Sequence, residues 1–563
     1  MLRKQFLLIP VFIFFLGLSF LNVTPLQAQT APPSDKNFEI MKNLDIYSAL
    51  IKELNKNYVD EINPGELTKE AIDGMLSSLD PYTNYIPESQ VEDYRFMTTG
   101  EYGGIGALIH KNGDYVVISE VYQDFPAQKS GLLPGDKVLE VNGKDARGKN
   151  NDDVSAFLKG QAGTPVTVKV DRDGQIIQKE ITRENIKIGD VPYSGMVSDG
   201  IGYIKLISFT DGSAQEVKKA FLKLKENPAL KGVILDLRDN GGGLLNEAVD
   251  IVNIFVDKDQ MVVSTKGKLA DKNHEYPTRF PANDVSIPLV VLVNGNSASA
   301  SEITAGSIQD LDRGIIVGQR TFGKGLVQNV VPLSYNAQVK ITVAKYYIPS
   351  GRCIQAIDYS HHDDTLKVIK DSIGVAFKTK NGRLVYDGHG IAPDVKTEPR
   401  EFSNISLVLF TKYLIFDFGT QFQRKHDSLP GGVDFHVSDD LYNQFLAFIA
   451  DKKYDYTSRS EKLLEQLKKS AEDEHYFDAI KDDYESLKTR MMRDKTQDLQ
   501  KFREEIKDLI RVDIVSRYYY QRGKIAAALE DDAEVKKAAE LLLNTERYSG
   551  ILSGKIIENG NRN

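Results

Sequence analysis

A chain of 563 residues, 41% hydrophobic and 27% charged, has room for several globular domains and lacks the bias of a disordered or fibrous protein. Its net charge of −9, without any basic stretch, argues against general nucleic-acid binding. The single cysteine, Cys353, excludes an internal disulfide, and the eight histidines show no metal-ligand spacing, so neither a metal nor a cofactor is expected.

The N-terminus reads as a targeting segment. Arg3 and Lys4 precede an apolar run over 6–20, and Leu26-Gln27-Ala28 offers a cleavage point. Residues 1–28 are therefore expected to be a signal peptide, with an uncleaved anchor as the alternative. Either implies export to a periplasmic or envelope-associated location, close to a membrane. No other run is apolar enough to span a bilayer. Residues 29–98 form an N-terminal helical arm. Its apolar face carries Leu44, Ile46, Leu50, Ile51 and Leu54. Leu79-Asp80-Pro81-Tyr82 breaks into a turn, and residues 83–87 lead into a further short helix.

Residues 99–187 resemble a PDZ domain. Gly103, Gly104, Ile105 and Gly106 stand where such a domain binds a carboxylate. The stretch from Pro126 to Gly143 gives its small helix, tight turn and following strand. The resemblance implies a module that adds a peptide as an extra strand and holds its terminal carboxylate with backbone N–H groups.

From residue 188 the pattern changes to alternating strands and helices. A strand over 202–209 precedes a helix over 213–225 with Val217, Phe221 and Leu224 inward. A strand over 232–237 then runs into a glycine turn and a helix from Leu244. That order implies a parallel sheet with crossover helices. The turn Asp236-Leu-Arg238-Asp239-Asn-Gly241-Gly242-Gly243 imitates a dinucleotide fingerprint, but Asn246 stands at the third spaced glycine.

The next buried strand, 287–293, turns at Asn294-Gly295-Asn296. Ser299-Ala300-Ser301-Glu302 then fits a capping box, which places Ser299 at the N-cap of a helix reaching about Asp310. Free N–H groups there favour negative charge, so the Ala300 N–H is suited to an oxyanion. Alone, such a box is most simply a helix cap. Lys324, between Gly323 and Gly325 and flanked by Phe322 and Leu326, changes the balance. A lysine acts as a base near neutral pH only where burial lowers its pKa. A strand over 326–331 puts Lys324, Leu326 and Gln328 on one face, so Gln328 is placed to orient the amine. Gly318 to Lys324 also imitates a phosphate loop, but its eighth position is Gly325, without the hydroxyl a magnesium ion needs.

Taken together, the PDZ-like segment, the glycine turn, Ser297-Ala-Ser299-Ala-Ser301-Glu302, Thr321-Phe-Gly-Lys324-Gly and Gln328, and Lys345-Tyr-Tyr-Ile-Pro-Ser-Gly-Arg352 resemble the carboxyl-terminal processing peptidases, or tail-specific proteases, over about residues 40–400. The resemblance implies a multidomain α/β protein: a protease core over 188–400 with a parallel-type sheet, an inserted PDZ domain, and helical N- and C-terminal regions. It implies a serine–lysine endopeptidase that recognises protein C-termini through the PDZ domain and cuts near them. Ser299 would be the nucleophile, Lys324 the general base and Gln328 its orienting partner. The N–H groups of Gly243 and Ala300 would form the oxyanion hole. Ser297 and Ser301 are the obvious rivals; the 25-residue spacing to the lysine favours Ser299. The partners implied are protein or peptide substrates held by the C-terminus. The family's arm packs on its own core or on a second subunit, which allows a homodimer; an adaptor or activator protein is the other partner. An inactive PDZ-bearing adaptor and a non-peptidase acyl hydrolase are the rival readings. Residues 356–387 depart from the family as a surface insertion away from the active site. Residues 401–563 are charged and helix-rich, with amphipathic helices suited to packing on a partner or on the core.

Overall fold

A computed structural model describes residues 34–359 and 374–558. The expected signal segment, His361-His362 and the middle of the 356–387 insertion lie outside the described residues. The described chain divides into two units, one ending at Met75 and one beginning at Leu76. The first holds the helix Ser34–Asn57 and most of the helix Pro64–Ser77. Phe38, Met41, Leu44, Ile46 and Leu50 of its first helix are all exposed. Among the described residues no helix is long and apolar enough to cross a membrane.

In the second unit, a six-stranded sheet organises the core. Tyr193–Ser198 pairs antiparallel with Ile201–Lys205. Gly232–Asp236, Leu289–Val293, Ile315–Gly318 and Val395–Lys396 then follow in parallel. Continuous Val, Ile and Leu in the central strands mean burial on both faces. One face receives the helices Ser213–Lys225, Leu245–Phe255 and Ala300–Asp310, through Val217, Phe221, Val252, Ile303 and their neighbours. The opposite face is covered by the end of the chain. Helices Ala533–Leu543 and Thr545–Leu552 pack Val535, Ala538, Leu542 and Tyr548 on Ile234, Val290 and Val317.

The C-terminal region is thus a structural layer of the core. Leu542 is buried directly against Gly232. Leu542→Ala leaves a cavity over the central strand and should cost about 2–5 kcal/mol. A urea titration of the full chain measures this; no loss of stability would mean that the last helices sit loosely on the sheet.

Residues 99–187 form a sheet in the order Ala107–Asn112, Tyr115–Val121, Lys137–Val141, Pro165–Arg172, Gln175–Thr182, with helices Pro126–Lys129 and Asn151–Leu158. The helices after residue 403 dock on it. His110 stacks on Tyr413 at 3.9 Å, Arg424 pairs with the fully buried Asp136 at 3.2 Å, and Gln128 donates to the Tyr520 hydroxyl at 3.1 Å.

Two expectations are corrected. The arm contains a strand, Asn84–Ile86, where a lead-in to a short helix was expected, and it pairs antiparallel with Gln338–Tyr347. The 356–387 insertion is not remote from the site. Tyr359 packs edge-on against Tyr82, ring centroids 6.1 Å apart. Its far end is a hairpin, Ala376–Lys378 with Leu384–Tyr386, tied to the core by Arg383 on Asp312 and Asp394.

Candidate active site

Ser299 lies at the sharp corner between strand Leu289–Val293 and helix Ala300–Asp310, with φ 56° and ψ −113°. A serine held there stores about 1–3 kcal/mol of strain. The capping residues are present, and Glu302 Oε2 accepts from the Ser299 N–H at 2.9 Å, but the Ser299 hydroxyl makes no cap hydrogen bond. The flanking serines are engaged. Ser297 Oγ donates to Leu237 O at 2.8 Å and Ser301 Oγ donates to Asn240 O at 2.8 Å, both fully buried. They knit the serine corner to the glycine turn.

That turn closes on the corner. A Cβ on Gly242 would lie 2.8 Å from Ser299 Cβ and 2.9 Å from Ala300 N, and its φ is +97°. Only glycine fits both constraints. Gly243, one residue on, bridges to Phe209. Gly242 is therefore the glycine in direct contact with Ser299 and Ala300.

Lys324 is brought to the same place by two buried side chains. The Glu302 carboxylate accepts from Thr321 Oγ1 at 2.6 Å, Gly323 N at 2.7 Å and Lys324 N at 2.9 Å, besides Ser299 N. Burial pushes its pKa up to about 7 in spite of these donated bonds. The Tyr346 hydroxyl lies 2.5 Å from Lys324 O and 3.2 Å from Ser299 O. The Lys324 ammonium nitrogen sits 4.6 Å from the centroid of the Tyr82 ring. Burial, then the nearby Lys340 charge, lowers its pKa to about 8.

Gln328 is not joined to Lys324 by a hydrogen bond among the described residues. Its Nε2 donates to Thr342 Oγ1 at 3.2 Å. A bulge in the pairing of Leu326–Pro332 with Gln338–Tyr347, between Val327 and Gln328, interrupts the alternation behind the expected shared face. Sequence reasoning missed Tyr82, Lys340 and Tyr346. Tyr82 carried a signal in the turn where it stands, since Asp80 accepts from Tyr82 N and Thr83 N, both at 2.8 Å. Cys353 lies in a loop, and burial raises its thiol pKa.

In the PDZ-like segment, Gly103 and Gly104 complete the strand Glu101–Gly104, paired with Glu184–Lys187. The loop proper is Ile105 and Gly106, whose carbonyls accept from Ala127 N at 2.7 Å and Tyr122 N at 3.0 Å. No hydrogen bond engages their N–H groups among the described residues. The next strand, Ala107–Asn112, is a sheet edge. A groove beside it is lined by Tyr102, Ile105, Leu108, Ser155 and Leu158.

Comparisons with known proteins agree with this organisation. Residues 200–362 match the profile described as peptidase family S41. Residues 117–172 match a PDZ domain, and residues 405–542 match "Probable PDZ-protease, C-terminal helical domain". A "Carboxy-terminal-processing protease" of Bartonella bacilliformis is 34% identical over 350 residues, covering 61% of this chain and 80% of its own. A "Probable CtpA-like serine protease" of Staphylococcus aureus strain MRSA252 is 32% identical over 373 residues, 66% of this chain and 68% of its own. The solved photosystem II D1 C-terminal processing protease is 28% identical, covers 63% of this chain and 92% of its own, and has a TM-score of 0.35. A multidomain α/β chain whose segments match peptidase family S41 and a PDZ domain is a PDZ-bearing peptidase. It belongs to the carboxy-terminal-processing proteases of peptidase family S41.

Proposed function

We propose that this peptidase is a serine endopeptidase with a Ser299–Lys324 dyad, and that it selects protein substrates by their C-terminal tails through the PDZ domain. Ser299 Oγ attacks the peptide carbonyl while the free amine of Lys324 takes its proton. The oxyanion is met by the Ala300 N–H and by the glycine turn at Gly242 and Gly243. Lys324 then protonates the leaving amine as the C–N bond breaks. Water hydrolyses the acyl-enzyme by the same route, returning Ser299 to its hydroxyl form.

One observation carries the reading: Glu302 and Tyr346 each bond to both the Ser299 and the Lys324 backbone, so the two loops are tied where an uncapped serine hydroxyl and a lysine of pKa about 8 stand. An inactive adaptor has no use for that arrangement. The edge strand Ala107–Asn112 and the Ile105 and Gly106 N–H groups support tail reading. Export to the periplasm or envelope, expected from residues 1–28, belongs to the same proposal.

The test is a matched pair of peptides, one with a free C-terminus and one amidated. Amidation removes the charge that the loop would hold. The free acid should be cut faster, and Leu108→Glu, which sets a like charge beside the loop, should erase the difference. Equal rates across several tails in the parent protein would assign the PDZ domain another task.

A further inference from the structure

Arg238 stands at the base of the glycine turn, next to the end of the central strand Gly232–Asp236. Its Nε and Nη2 donate to Asp236 at 3.0 and 2.6 Å. Its other edge reaches the C-terminal region: Nη1 donates to Asp532 at 3.1 Å and to Glu534 at 2.6 Å. Both carboxylates are mostly buried. Glu534 Oε1 also accepts from Gln319 Nε2 at 2.6 Å and from Thr397 Oγ1 at 2.5 Å, so its position is fixed from two sides. Asp532 caps the helix Ala533–Leu543, the same helix that covers the sheet.

Arg238 leads through the backbone into Asp239 and Asn240, and these two residues bond to the serine corner. Asp239 accepts from Asn294 Nδ2 at 2.9 Å and Asn296 Nδ2 at 2.8 Å. Asn240 O accepts from Ala298 N at 3.0 Å and Ser301 Oγ at 2.8 Å, and Asn240 Oδ1 accepts from Gly242 N at 2.9 Å. The Asn240 bonds to Ser301 Oγ and Gly242 N are buried, whereas those of Asp239 lie at the surface.

We infer that Asp532 and Glu534 are positioning residues for the proteolytic reaction: by holding Arg238 they set the glycine turn against Ser299, which makes the C-terminal helical region part of the machinery that forms the oxyanion site. The inference rests on the serine–lysine reading. A planar guanidinium is suited to the role, because it engages carboxylates on two of its edges at once. A loosening of about 1 Å in the turn is enough to cost about a hundredfold in rate.

The test uses the full chain with Asp532→Asn and Glu534→Gln combined. Asn still caps the helix. Both changes keep the shape and remove the charge. We expect kcat, and the rate at which a fluorophosphonate labels Ser299, to fall about ten- to a hundredfold. KM for a free-acid peptide and the affinity for its tail should stay unchanged. A structural role alone would lower the melting temperature without moving the labelling rate at low temperature. Arg238→Lys, which keeps one charge but cannot span the three carboxylates, should reproduce the loss. If the double variant does not fold, the isosteric Glu534→Gln decides alone. Parent-like labelling and kcat in a folded variant overturn the inference. Labelling that persists in a parallel Ser299→Ala sample instead overturns the serine–lysine reading itself.

Discussion

Ser299→Ala should remove peptide hydrolysis by about 10⁴–10⁶-fold while the chain stays folded, because the hydroxyl that attacks is not used to hold the structure. The structure separates it sharply from its neighbours. Ser297 and Ser301 are fully buried and bond to the Leu237 and Asn240 carbonyls. Ser299 contributes its backbone to the Glu302 and Tyr346 ties and leaves its hydroxyl outside the cap. Ser297→Ala and Ser301→Ala should therefore cost stability, about 1 kcal/mol each, and retain far more activity. Steady-state hydrolysis and thermal melts on the three variants make the comparison. Substantial turnover by Ser299→Ala, or a dead but stable Ser301→Ala, would move the nucleophile elsewhere.

Residues whose role is set within one or two turns of chain were legible in the sequence. The strand, turn and helix around Ser299 follow from an apolar run, Asn-Gly-Asn and a capping signature. The helix Ser213–Lys225 buries Val217, Phe221 and Leu224 on the expected face. Contacts made across the chain were not legible. Glu302 looked like half of a cap, yet three of its four bonds reach residues 321–324. Gln328 lost its expected partner to a bulge, which period-two reasoning has no means to foresee. Tyr82 and Tyr359 meet near Lys324 although 277 positions separate them in the chain (359 − 82). The apolar faces of the last two helices announced burial, but an amphipathic face does not name what covers it. Here it is the second side of the protease sheet.

Lys324→Arg should be as inactive as Lys324→Ala, and this tests the base more sharply than removal does. Arginine keeps the charge and stays protonated throughout, so it cannot take the Ser299 proton. The pH dependence gives an independent reading. Burial and the Lys340 charge lower the Lys324 pKa to about 8. Below that value the amine is protonated and cannot act, so kcat/KM should rise about tenfold per pH unit from pH 6 and level off above about 8. Removing the like charge with Lys340→Gln favours the protonated form of Lys324, so the midpoint should move to higher pH. A pH–rate profile of the parent, Lys324→Arg and Lys340→Gln proteins, restricted to the range in which all remain folded, measures both effects. Turnover by the arginine variant would reduce Lys324 to a fixed charge beside the developing oxyanion. A flat profile from pH 6 to 9 in the parent would remove the lysine from proton transfer, even with Ser299 retained as the nucleophile.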